Sequence, residues 1–182
     1  MKVDLEHIRP GIVLVLLGLL FGITLGVSFG LSEDSFKNYI ETGIAANPGA
    51  HDAQSADKIW RYAQRGHFHA AGIAAFSIGL LFLVLFSNMG RSMKSLTSLL
   101  IGCGSLYPFA WFSMFALAPS IGRSAAHSHI MTEAFTYAGV GGLLLGILLL
   151  LLSLFTGLFS ERQDVRWSVD VGAGEHSEKR PN

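Results

Sequence analysis

Charged residues are scarce in this sequence. Only 14% of its 182 residues are Asp, Glu, Lys or Arg, against about 25% in soluble domains, and the formal net charge is zero. Residues 11–30, 66–90 and 95–122 have no charged side chain, and 124–160 contain only Glu133. This scarcity excludes a soluble enzyme and a disordered chain. A nucleic-acid binder is excluded too, because such proteins neutralise phosphates with an excess of Lys and Arg.

Cysteine is almost absent as well. The single Cys103 lies inside an apolar run, so no intramolecular disulfide forms and cysteine usage gives no information on the redox compartment. The apolar runs also lack the alternation of apolar and polar residues that a transmembrane β-barrel requires. The remaining class is an all-α membrane protein.

Apolar residues make up 51% of the chain, and four segments are long enough for a membrane helix. They cover about residues 10–30, 67–88, 96–118 and 129–159. We therefore predict an all-α integral membrane protein in which residues 1–160 form a four-transmembrane-helix bundle built from two helical hairpins. A polar cytoplasmic tail follows at 161–182. The first segment is longer than the apolar part of a signal peptide and no A-x-A site follows it, which favours an uncleaved anchor.

The outer loop, residues 31–66, is predicted to be helical. Ser32, followed by two acids, is typical of a helix start, and this helix extends to about Ala45. Asn47-Pro48-Gly49 ends it. A second helix begins near Ser55 and runs without a break into the second apolar segment.

The distribution of Lys and Arg near the helix ends predicts the orientation. The loop at 87–94 has two cations and no acid, which is typical of the cytoplasmic side. Lys2 and Arg9 before the first segment, and Arg162 and Arg166 after the fourth, agree with it. We expect a cytoplasmic (inner) membrane protein with both termini inside.

Four glycines follow each other at four-residue spacing in the first segment: Gly18, Gly22, Gly26 and Gly30. Small residues at this spacing let helix backbones approach closely in lipid. We predict that this glycine stripe packs inside the bundle rather than forming a dimer interface.

Two His-x-His motifs begin the even-numbered segments, His67 with His69 and His127 with His129. We interpret them as one cluster at a single depth on the outer face, related by a weak parallel repeat. Residues i and i+2 lie about 200° apart on a helix, so only one histidine of each motif faces the interior. His129 shares a helical face with Glu133, and a polar face in a membrane turns inward. The predicted inward pair is therefore His129 and, by the repeat, His69.

Two facing imidazoles allow three interpretations, of which the first is a b-type haem. His69 and His129 would be its axial ligands. Arg65, together with Arg61 or Arg123, would bind the propionates.

The second interpretation is a copper or zinc ion. His129 and Glu133 have the i, i+4 spacing of metal ligands on a helix, and His69 would complete a set of three. The third interpretation is that no ligand binds, and the histidines form hydrogen bonds with Glu133, Thr132 and water.

Glu133 has several possible roles of its own, because a carboxylate inside a membrane is costly and usually functional. It would orient His129, bind a metal directly, or carry protons at a quinol site. The purely structural alternative is an ion pair with Arg123.

Residues 65–72, RGHFHAAG, resemble the start of the second transmembrane helix in catalytic subunits of the haem–copper oxidase superfamily and in related small membrane proteins. In that family a histidine at this position binds the low-spin haem, which corresponds to His69 or His67 here. The rest of the chain departs from the family, since it lacks both the many-helix core and an adjacent His-His motif for oxygen reduction. The resemblance therefore implies a haem-carrying or accessory role, not terminal oxidase activity.

The leading hypothesis from the sequence is a membrane protein that binds a redox cofactor, with haem b as first candidate, between the second and fourth helices. Its role would be electron transfer, with quinol as a donor, as an accessory subunit alongside other membrane subunits of a respiratory or oxidoreductase complex. The alternatives are a copper- or zinc-binding protein for metal handling or enzyme assembly, and a cofactor-free structural subunit.

Overall fold

The computed structural model describes residues 5–160, which are mostly helical. The tail predicted at 161–182 lies outside the described residues. The α-helices are α1 (Arg9–Ala46), α2 (Ser55–Phe86), α3 (Arg91–Cys103), α4 (Tyr107–Ile121), α5 (Arg123–His127), α6 (Ile130–Thr136) and α7 (Gly142–Thr156). Short 3-10 turns occur at Glu6–Ile8, Pro48–Ala50 and Gly104–Leu106, and a π-helical turn joins α6 to α7 at Tyr137–Gly141.

Four helical stretches are long and apolar enough to cross a membrane. We call them the first to fourth spans: Glu6–Ala46, Ser55–Phe86, Arg91–Ile121 and Ile130–Thr156. The third span combines α3 and α4, and the fourth combines α6 and α7. This is the architecture of a multi-pass membrane protein, as the charge-free runs predict.

The first two spans are longer than a bilayer requires. α1 has 38 residues and α2 has 32, whereas about 20 are enough to cross the hydrocarbon core. α1 has a kink at Ser32, whose φ of −144° and ψ of 33° are not helical. The helix start predicted at Ser32 thus coincides with this kink, beyond which α1 continues, and α1 ends at Ala46, before Asn47, as expected. The second predicted helix begins at Ser55.

The third span is the centre of the bundle. α3 packs against α1 and α7, while α4 packs against α2, α5 and α6. The fourth span rests on the third and has little contact with the second. We call the end with residues 47–54 and 122–129 the loop end, and the end with residues 87–90 the terminal end.

The glycine stripe of the first span packs inside the bundle. At Gly18, Gly22 and Gly26 an added Cβ would lie 2.7 Å from an atom of the second or third span, while at Gly30 it would meet nothing within 4 Å. Three of the four glycines thus permit close helix contact, and the predicted intramolecular packing is confirmed for them.

Two apolar clusters hold the bundle together. The terminal-end cluster consists of Ile8, Val15, Ala74, Leu81, Val84, Ile101 and Leu150. The loop-end cluster consists of Ile40, Ile59, Ala63, Phe115, Ala118 and Ala126. The second cluster joins the extended parts of α1 and α2 to the end of α4.

Candidate functional site

His69 lies on the side of α2 that faces α4. Its Nδ1 donates a hydrogen bond to the main-chain carbonyl oxygen of Arg65 over 2.8 Å. Because a carbonyl oxygen only accepts, Nδ1 holds a proton, and in the neutral imidazole Nε2 has a free lone pair. The side chain is half-buried, and Nε2 has no partner among the described residues. In its neutral form His69 therefore presents a nitrogen that can accept a hydrogen bond or bind a metal.

Aromatic rings of α4 surround this imidazole. The centroid of the His69 ring lies 5.2 Å from that of Tyr107 and 5.6 Å from that of Trp111. The guanidinium carbon of Arg65 lies 4.8 Å from the centroid of Trp111, a distance typical of a cation–π contact. We call Arg65, His69, Tyr107 and Trp111 the His69 cluster.

Two donors of the His69 cluster have no acceptor in the part of the chain that the structure describes. The indole Nε1 of Trp111 is buried without a hydrogen-bond partner, which costs about 1–3 kcal/mol. The exposed guanidinium of Arg65 forms no ion pair with a described carboxylate. The cluster therefore combines one unused acceptor with two unused donors.

His67, the other histidine of the motif, faces a different helix. Its Nδ1 donates to the carbonyl oxygen of Gly22 over 2.8 Å. Its ring lies against Gly26 and edge-on to Phe29, with 6.1 Å between ring centroids. His67 thus connects α2 to α1, and the glycine stripe provides the space for its ring.

The second motif is not on a continuous helix. His129 has φ −71° and ψ 140° and is the N-cap of α6. Its Nδ1 accepts a hydrogen bond from the main-chain N–H of Met131 over 3.3 Å, so its proton is on Nε2. His127 is exposed at the end of α5. The main-chain carbonyl oxygen of His129 accepts from the Glu133 N–H over 3.0 Å, so the two residues lie one turn apart, and a common face for their side chains stays a prediction.

The two motifs also lie at different depths. His69 packs beside Tyr107, and the residue of the fourth span beside Tyr107 is Gly139, where an added Cβ would lie 2.6 Å from the main-chain nitrogen. Gly139 is separated from His129 by about 15 Å of helix at about 1.5 Å per residue. His69 also contacts Trp111, one turn closer to the loop end than Tyr107, so His129 lies nearer the loop end than His69 does, by less than this length.

The predicted pair of haem ligands, His69 and His129, stays a prediction. The predicted metal set of His69, His129 and Glu133 is not assembled, because within residues 5–160 no three His, Cys, Asp or Glu side chains are placed to hold a metal ion.

Glu133 lies at the level of the His69 cluster. Phe135 packs against Phe109 with 5.7 Å between ring centroids, and α4 and α6 run in opposite directions. Two residues toward the loop end from Phe135 is Glu133, and two residues toward the loop end from Phe109 is Trp111. Glu133 and Trp111 therefore lie at the same depth in the bundle. The half-buried Glu133 carboxylate has no ion pair or hydrogen bond to a described residue.

Arg123 does not pair with Glu133 as the structural alternative expected. Its guanidinium binds the Asp52 carboxylate over 2.7 Å at the loop end. Hydrogen bonds from the Ser55 hydroxyl and the Gln54 N–H, together with the charge of Arg123, lower the pKa of Asp52. Arg123 is therefore used to attach the loop to the third span.

Sequence reasoning missed Tyr107 and Trp111. Their spacing of four places both rings on one side of α4, which is the signal that could have found them. Which helix that side faces cannot be read from the spacing.

The fold has four helices long and apolar enough to cross a membrane, and a polar and aromatic cluster lies between the second and third of them. Comparisons with protein-family models, with curated proteins and with solved structures find no match to this chain.

Proposed function

We propose that this protein is a membrane subunit of an oxidoreductase complex that binds a redox-active ligand at the His69 cluster and takes part in electron transfer there. The observation that supports it is the Nε2 of His69, which has no partner among the described residues while Nδ1 is bound to the Arg65 carbonyl oxygen. A histidine whose other ring nitrogen donates to a carbonyl is oriented for such a role.

The surroundings of His69 favour the same function. Polar side chains within a membrane are costly and usually serve a function, and Arg65 and Glu133 lie near one depth without pairing. Aromatic rings of α4 provide a surface for a flat ligand. A site for copper or zinc handling has no support among the described residues.

Ligand content tests this function. The wild-type protein, His69→Ala and His127→Ala are purified in a mild detergent, and each is assayed for haem by its reduced-minus-oxidised spectrum and for quinone by solvent extraction. We expect a stoichiometric ligand in the wild type and about tenfold less in His69→Ala, the loss that one ligand contact of about 1.4 kcal/mol predicts. His127→Ala is the matched control and should retain the ligand, because His127 is exposed at the loop end.

Gel filtration establishes that each variant is folded. A wild-type protein without haem or quinone would contradict the proposed function and favour a cofactor-free structural subunit. Equal ligand content in wild type and His69→Ala would contradict the assignment of the site.

We further propose that the protein spans the cytoplasmic membrane with both termini inside and the loop end outside. Arg91 and Lys94, at the terminal end of the third span, support this orientation because cytoplasmic loops are rich in cations.

Cysteine labelling tests this orientation. In a Cys103→Ser background, Ala53→Cys and Ser92→Cys introduce exposed positions at opposite ends of the bundle. A membrane-impermeant maleimide added to intact cells should label Ala53→Cys, and should label Ser92→Cys only after permeabilisation. The reverse pattern would show that the loop end is cytoplasmic.

A further inference from the structure

We infer that the ligand of the His69 cluster is a quinol-type head group that enters from the membrane between the second and fourth spans. This inference rests on the proposed function and names the class of ligand. Its basis is the juxtaposition of one unused acceptor, His69 Nε2, with unused donors on Arg65 and Trp111 above an aromatic surface.

The unused acceptor defines one part of the ligand. Nδ1 of His69 donates to the Arg65 carbonyl oxygen, so Nε2 of the neutral imidazole is an acceptor. A hydroxyl group of the ligand can donate its O–H to this nitrogen.

The unused donors of Arg65 and Trp111 indicate which acceptor the ligand needs. The Arg65 guanidinium has only donors, and the Trp111 Nε1 is a buried N–H without an acceptor. An oxygen of the ligand that accepts from these groups removes the cost of the orphaned indole N–H. A phenolic hydroxyl can donate to His69 Nε2, and its oxygen can accept from Arg65 or Trp111.

The path to the cluster is lateral. The second and fourth spans both pack on the third but have little contact with each other. Gly72 lies one turn beyond His69 on α2, toward the terminal end. A Cβ added at Gly72 would meet no atom within 4 Å, so the space beside it is open. Phe76 follows, with 46% of its surface exposed. An apolar tail can lie along this surface while the ring rests on Trp111.

Glu133 is placed for the second hydroxyl of such a ligand. It shares the depth of Trp111 on the neighbouring fourth span, and its carboxylate is not paired with Arg65. A para-quinol has hydroxyls at opposite ends of its ring, and one acceptor on each of two helices suits that shape.

Binding of decylubiquinol and decylubiquinone to the full-length protein in detergent tests the inference. Quinone retained after spin gel filtration is extracted and quantified for the wild type, His69→Gln, Arg65→Gln and Trp111→Phe, with His127→Gln as matched control. We expect micromolar or tighter binding by the wild type and about tenfold weaker binding in each of the first three variants, the loss that one hydrogen bond predicts. His127→Gln should bind like the wild type.

We expect Arg65→Gln to fold like the wild type, because the Arg65 side chain is exposed and its described contact is with Trp111. A loss of binding in this variant would therefore report on the site and not on folding. A His69-dependent Soret band without quinone binding would overturn the quinol inference and leave the proposed function standing. Neither haem nor quinone would overturn both. Equal quinone binding in all variants, or a phospholipid as the sole His69-dependent molecule in the extract, would also overturn the inference.

Discussion

The Gly11→Ala protein should unfold at a clearly lower temperature than the wild type. Gly11 of α1 lies against α3, and a Cβ at this position would overlap the main-chain carbonyl group of Ser98. Since the obstacle is backbone, the two helices must move apart, which lowers the free energy of unfolding by about 1–3 kcal/mol or more. The measurement is the thermal midpoint of helical circular dichroism in detergent.

Gly30→Ala is the matched control from the same helix. Nothing lies within 4 Å of a Cβ at Gly30, and replacing a helical glycine with alanine stabilises a helix by about 0.5–1 kcal/mol. The two substitutions should therefore shift the midpoint in opposite directions. A shift of the same sign and size would show that the close contact between α1 and α3 is absent.

Phe115→Ala should cause the second large loss of stability. Phe115 is 4% exposed, and its ring lies 5.8 Å from that of Phe36 and 5.6 Å from that of Tyr39, measured between centroids. Removing a buried phenyl ring costs about 3–5 kcal/mol. The extended part of α1 should separate from α4 first, which hydrogen–deuterium exchange of residues 33–46 would detect.

Phe155→Ala serves as the control for this substitution. Its ring is 82% exposed, and an exposed side chain outside special contacts contributes within about 0.5 kcal/mol. If both alanine variants unfold at the same midpoint, the loop-end cluster does not hold the extended helices.

Much of the fold could be predicted because it depends on local properties of the chain. A run without charge can be placed in lipid only as a helix that satisfies its own backbone, and Asn47-Pro48-Gly49 ends a helix wherever it stands. The N-cap pattern at Ser32 predicts the position of the kink in α1. The non-helical backbone of His129 escaped prediction, because histidine is not a strong helix breaker.

The candidate site could be predicted in part. That the histidines of one motif face different directions follows from helix geometry, and the structure shows His67 toward α1 and His69 toward α4. The partner of His69 could not be predicted. The two His-x-His motifs look equivalent in sequence, but α2 begins twelve positions before His67 while the helix of the fourth span begins after His129.

The sequence by itself determined that this chain has four long apolar helices and that its few polar residues within them need an explanation. The tertiary structure decided which of those residues meet. The depth of one helix against another is set by contacts between backbones, such as Gly139 on Tyr107 and Gly11 on Ser98. Because those contacts join residues that are distant in the chain, no local pattern reveals that His69 lies beside Trp111.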